Sequence, residues 1–198
     1  MSVLFTAIFS AASIVWDREF GFLREMLVAP VSRSAIVIGK CLGGATVATF
    51  QGIIILALAG LAGVPYNPIL FLTLIGELLL LSFTLTAFGV MMAARIKQIQ
   101  AFMALTQMLV MPLFFLSGAL YRLKDAPPWM QAAAHFDPVA YAVDLMRGSI
   151  LGTFFFPVAL SLGALAFTIT VLTWAAVKVF ARGEDDSSLG AAKFTWRR

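Results

Sequence analysis

Residues 69–94 read ILFLTLIGELLLLSFTLTAFGVMMAA, and the only charged side chain among them is Glu77. A surface helix would show one apolar stripe, and a half-buried strand would alternate. This run is apolar all round. About 20 such residues cross the roughly 30 Å hydrocarbon core of a bilayer as a helix. Backbone polar groups have no water to turn to there, so a helix or a closed barrel must satisfy them internally. The run is far longer than a barrel strand and does not alternate. It reads as a membrane-spanning helix.

The rest of the chain agrees. Of 198 residues, 61% are hydrophobic and 12% charged, with mean hydropathy +0.96. Soluble domains carry about 25% charged residues, so the fold class is all-α and polytopic. Four further runs qualify as spans, at residues 2–16, 35–63, 101–120 and 154–179. The first begins at the chain start without a basic leader and ends in Asp17, Arg18 and Glu19. It therefore reads as a span whose beginning is missing rather than as a signal peptide. Pro112 interrupts the fourth of the five spans, and Pro65 and Pro68 frame a tight turn. Residues 1–180 form one transmembrane domain. Residues 181–198 are polar and read as a solvated tail.

Basic residues orient the spans. If five spans alternate, Arg18, Arg24, Arg33, Arg95, Lys97, Arg182, Lys193, Arg197 and Arg198 share one side. Arg122, Lys124 and Arg147 fall on the other. The first side is then cytoplasmic and includes the C-terminus. The N-terminus lies outside, unless an earlier helix returns it. The formal charge of +4 is spread between spans, which argues for topology rather than nucleic-acid binding.

Two non-spanning segments carry further information. Residues 17–33, DREFGFLREMLVAPVSR, are too charged to cross, but Phe20, Leu23, Leu27 and Val28 recur on one helical face. Asp17 is placed to cap the helix N-terminus, and Pro30 ends it by restricting Ala29. The pattern fits an interfacial helix or a docking helix for a cytoplasmic partner equally well. Residues 121–153 lie on the opposite side. Pro127, Pro128 and Trp129 suit an interfacial turn. Pro138 then opens VAYAVDLMRGSIL, where Val139, Ala142, Val143 and Met146 share a face and Asp144 and Arg147 are spaced to pair. This segment predicts a short outer or re-entrant helix.

Glu77 stands eight residues into its run, about 12 Å along the axis. A carboxylate at that depth is a functional candidate, facing protein or a wet cavity, here on a possible translocation path. Lys40 is placed to snorkel toward headgroups. Gly39 and Gly43 have the spacing that lets helices approach closely. Cys41 and His135 are the sole residues of their kinds, which leaves neither a disulfide nor a metal-ligand set. There is no phosphate-binding loop, because Gly39-Lys40 lacks its earlier glycine and its following Ser or Thr. No catalytic constellation is evident either.

Two stretches, FGFLREMLVAPVSRSAIVIGK (20–40) and LFFLSGALYRLKDAPPWMQAAAHFDPVAYAVDLMRG (113–148), carry a family resemblance. The chain resembles the ABC-2 type transporter permeases, in the branch of daunorubicin-resistance and multidrug exporters. The likeness implies a bacterial inner-membrane permease that exports drugs, lipids or lipid-linked glycans. It implies six spans, a homo- or heterodimer of permeases, and two cytoplasmic ATPase subunits that hold the ATP and magnesium. It maps an ATPase-coupling helix onto residues 17–29, with Phe20, Leu23 and Leu27 seating it and Arg24 and Glu25 as polar contacts. It maps short outer helices onto residues 138–152. The sequence begins inside the second family span, has Asp137-Pro138 where Asn-Pro is common, and has Arg122 where proline is common. Two rival functions are a membrane-embedded lipid-modifying enzyme and an ion-coupled carrier using Glu77. The enzyme would need converging polar groups, and only Glu77, Asp144 and scattered hydroxyls are on offer.

Overall fold

The computed structural model describes residues 1–20, 32–59 and 67–195, apart from the side chains of Arg33 and of residues 180–195. Eight α-helices follow in order: α1 (Ser2–Phe9), α2 (Ala12–Glu19), α3 (Arg33–Ala59), α4 (Pro68–Ala93), α5 (Ile99–Leu116), α6 (Pro128–Ala134), α7 (Pro138–Leu151) and α8 (Val158–Thr195). A 3-10 turn at Leu123–Asp125 joins α5 to α6, and no strand occurs among the described residues.

Among the described residues, four stretches are long and apolar enough to cross a membrane: Ser34–Ala59, Pro68–Ala93, Ile99–Leu116 and Val158–Val179. The run at residues 2–16 is not one continuous α-helix. It is broken into α1 and α2, each of 8 residues and about 12 Å long. At the break the N–H groups of Ala11, Ser13 and Ile14 reach back three residues, to the carbonyls of Ile8, Ser10 and Ala11. That is the tighter 3-10 pattern. The reason lies in the neighbours. A Cβ on Gly89 of α4 would stand 2.8 Å from the Ile8 carbonyl oxygen and 3.0 Å from the Ala11 Cβ. A Cβ on Gly44 of α3 would strike the Ser10 side chain and Thr86. The junction is thus wedged between two glycines. Gly39 and Gly43, which the spacing singled out, face open space. Close approach is made by the adjacent Gly44.

Helix α4 is the hub, with α3, α8, α1 and α7 packed around it. Its buried face includes Leu81, Leu85, Ala87, Gly89 and Val90. α4 and α7 start by the same device. Asn67 Oδ1 accepts the Ile69 N–H at 3.0 Å and Asp137 Oδ1 accepts the Val139 N–H at 2.8 Å, each with proline next in the chain. The carboxamide or carboxylate caps a free N–H, and proline fits the first helical position, where no N–H is needed. α7 ends at Gly152, whose φ of 69° is left-handed and favours glycine.

Two expectations are corrected by the helix limits. Asp17 does not open a new helix, because it lies in the last turn of α2. Pro112 does not stop α5, which continues through it to Leu116. The backbone of the polar tail continues α8 to Thr195, with no proline after Pro157 to stop it.

Candidate functional site

The charged end of α2 grips three of the long helices at once. Asp17 Oδ2 accepts from Lys40 Nζ of α3 at 2.8 Å, and Ser13 Oγ receives a second bond from the same ammonium at 3.1 Å. Lys40 therefore turns inward to a neighbouring helix instead of snorkelling. A close, half-buried carboxylate compensates the charge directly. Arg18 donates to the carbonyls of Ala93, Ala94 and Ile96 at 3.0–3.3 Å. These groups end α4, where the helix dipole favours a cation. Glu19 Oε2 accepts the Ile99 N–H at 3.3 Å, at the start of α5, where the dipole favours an anion. Asp17, Arg18 and Glu19 thus each bond to another helix, Glu19 while remaining exposed.

Phe20 follows directly and is 73% exposed. Leu23, Arg24, Glu25 and Leu27, together with most of the proposed coupling helix, lie outside the described residues.

At the other end of α4, Glu77 is 7% exposed. Its Oε1 accepts from Ser149 Oγ of α7 at 2.7 Å, while Oε2 has no hydrogen-bond partner among the described residues. Glu77 is one of the residues that line a cavity of about 460 Å³ between α4, α7 and α8. The other walls are Leu72, Thr73, Gly76 and Leu80 of α4, Leu145 of α7, and Val158 and Leu162 of α8. Leu72, Val158 and Leu162 are exposed on the helix perimeter, so the cavity opens sideways, where lipid would lie.

Asp144 and Arg147 do not pair with each other. The Asp144 carboxylate accepts the N–H groups of Phe155 and Phe156 at 2.9–3.0 Å. Arg147 donates to the carbonyls of Gly118, at 2.6 Å, and Tyr121, at 3.1 Å. Both side chains hold loop backbone, which has no ladder of its own and must find partners when buried. Asp144 fastens the α7–α8 connection, and Arg147 fastens the chain leaving α5. Phe156 is the centre of an aromatic cluster, with ring centroids 4.6 Å from Tyr141, 4.8 Å from Phe155 and 5.0 Å from His135. His135 Nδ1 lies 2.8 Å from the Gln131 carbonyl. No group of three potential metal ligands occurs among the described residues. Asp137 is buried, and burial pushes its carboxyl up to about 7 against the opposing backbone bonds from Val139 and Ala140. Its Oδ2 has no partner among the described residues.

Of the residues singled out in the sequence, the structure brings none of Glu77, Asp144 and Arg147 into a shared polar centre. Sequence reasoning missed Ser149 and the grip of α2. The Asp17–Lys40 pair did carry a signal: opposite lone charges stand at the same ends of consecutive apolar runs. Ser149 carried none, because its depth depends on how α7 folds back.

Comparison with known proteins agrees with this architecture. Residues 1–151 match the family model described as ABC-2 type transporter. The chain is 26% identical over 182 residues to the inner membrane transport permease YadH of Escherichia coli K12, covering 90% of this chain and 71% of that protein. It is 30% identical over 149 residues to the probable multidrug ABC transporter permease YbhR of the same strain, covering 71% of this chain and 38% of that protein. It is also 30% identical over 142 residues to the putative transport permease ycf38 of Cyanophora paradoxa, covering 70% and 48%. With helices built to cross a membrane and a family model matching three quarters of its length, the chain belongs to the ABC-2 type transporter family.

Proposed function

We propose that this chain is the membrane-spanning subunit of an ATP-driven exporter in a bacterial inner membrane. ATP and magnesium are held by separate ATPase subunits, and a second permease copy, identical or related, completes the path. The end of the bundle where α2 terminates is cytoplasmic, as is the C-terminus, in keeping with the distribution of lysine and arginine. Drugs, lipids and lipid-linked glycans are the substrate classes that the family likeness and apolar helix faces suit.

One observation carries the reading: the three-way grip of Asp17, Arg18 and Glu19 on α3, α4 and α5. The segment following Phe20 is the proposed ATPase-docking element. A push there is delivered through the grip to the ends of three long helices together, which suits rigid movement of packed helices between two states. Phe20, Leu23 and Leu27 seat the docking segment, and Arg24 and Glu25 make its polar contacts.

The test is charge reversal at Arg24 and Glu25 in the full-length protein. Loss of ATPase association, together with loss of ATP-dependent efflux, is the expected result. Intact association and efflux would remove residues 17–29 from the coupling role.

A further inference from the structure

We propose that the lateral cavity at Glu77 is a binding site for an amphiphile headed by an N–H-bearing ammonium, with Glu77 as the acceptor of that head. The inference deepens the transport reading by naming a ligand class, and it rests on that reading only for the idea that the ligand is moved.

Three features converge. The first is the unused acceptor. Glu77 is more than nine-tenths buried, Ser149 holds one carboxylate oxygen, and the other is without a donor among the described residues. A buried polar atom left unpaired is costly, and a carboxylate inside a membrane calls for a partner. The second is the space beside it. At about 460 Å³ the cavity falls in the range of small-molecule sites. The third is the character and position of the walls. Leucine, valine and glycine dominate them, and the mouth lies between exposed Leu72 and Leu162 on the perimeter of the helices. An apolar body can therefore lie against these walls with its head beside Glu77.

Acceptor chemistry narrows the head further. The free oxygen needs a donated hydrogen as well as a positive charge. A primary ammonium supplies three N–H donors, whereas a quaternary ammonium supplies charge alone. Charge-assisted bonds of this kind are about twice as strong as neutral ones. The same head occurs on ethanolamine phospholipids and on lipophilic amines, so both sources are to be compared.

The experiment uses the purified full chain in phosphatidylglycerol nanodiscs, without ATPase. Four probes are titrated: dioctanoyl phosphatidylethanolamine, its phosphatidylcholine counterpart, dodecylamine and dodecyltrimethylammonium. The expected result is at least tenfold tighter binding of one or both primary-ammonium probes than of the matched quaternary probe. The preferred pair identifies the source, lipid or free amine. Glu77→Gln should reduce the preference to within twofold, and Leu162→Trp, which fills the mouth from α8 without touching the carboxylate, should abolish saturable binding. Equal binding of primary and quaternary heads, or a preference that survives Glu77→Gln, overturns the proposal. If Glu77→Gln fails to fold, Leu162→Trp decides: retained tenfold selectivity in that variant places the site elsewhere. Since no ATPase is present, failure here leaves the coupling role standing, and failure of the Arg24 and Glu25 test leaves this binding intact.

Discussion

Asp17 and Lys40, 23 residues apart, meet at 2.8 Å and tie the end of α2 to α3, each about a quarter exposed. Asp17 follows the end of the first apolar run, and Lys40 is the sixth residue of the next. Together they form a contact that neither run could form alone, because a lone charge at the edge of an apolar core must find a partner or remain at water.

Removing one member should therefore be worse than removing both. Lys40→Met strands the Asp17 carboxylate, whereas the Asp17→Asn, Lys40→Met double variant strands nothing. A double-mutant cycle by thermal unfolding in detergent should show a coupling of about 1 kcal/mol, the scale of interhelical polar contacts in membranes. Additive effects would make the pair incidental.

The glycines give a contrast within one fold. Gly89→Ala places a Cβ 2.8 Å from the Ile8 carbonyl oxygen, and backbone cannot move aside cheaply. Overpacking of this kind costs about 1–3 kcal/mol. Gly43→Ala meets nothing within 4 Å and should leave the unfolding temperature unchanged or slightly raised, since alanine favours helix. The two melting curves decide it.

Asp144 bears on the α7–α8 connection. Asp144→Ala leaves the N–H groups of Phe155 and Phe156 without their acceptor, one of them buried. Losing bonds to a charged group and stranding a donor costs about 3 kcal/mol. Hydrogen exchange should rise at residues 152–157 well before it rises in α4. Arg147→Lys should act at the other loop. A single ammonium lacks the planar fork that reaches Gly118 and Tyr121 together, so exchange should increase at residues 118–123.

Asp137 makes the start of α7 pH-dependent. Its carboxyl ordinarily titrates at 3.8 and is pushed up to about 7 by burial in the fold. Between those values the folded state holds more protons than the unfolded state. Stability then falls as pH rises from about 4 to about 7 and levels off above. Asp137→Asn keeps an oxygen to accept the Val139 N–H and removes the charge, so this contribution should be flat with pH. Unfolding midpoints of both forms from pH 4 to 8 measure the difference.

Arg18 offers a test of force transmission. Arg18→Gln loses the charge that faces the end of α4 and leaves the proposed docking residues untouched. ATPase association should persist while ATP-driven efflux falls several-fold. Unchanged efflux would show that the grip does not transmit movement.

The sequence by itself determined the helical membrane architecture. Residues 69–94 have no alternative that satisfies their backbone in lipid, and the spans at α3, α5 and α8 follow from the same constraint. Pro138 marked the start of α7, because proline at the first helical position is local chemistry. Tertiary structure alone decided where the polar groups went. It broke residues 2–16 into two helices against Gly44 and Gly89, turned Lys40 inward, and divided Asp144 and Arg147 between two loops. It also set Ser149 against Glu77, with a cavity beside the glutamate. Hydropathy and periodicity describe one helix at a time. These outcomes depend on which atoms of a second or third helix stand opposite, and that is a property of packing.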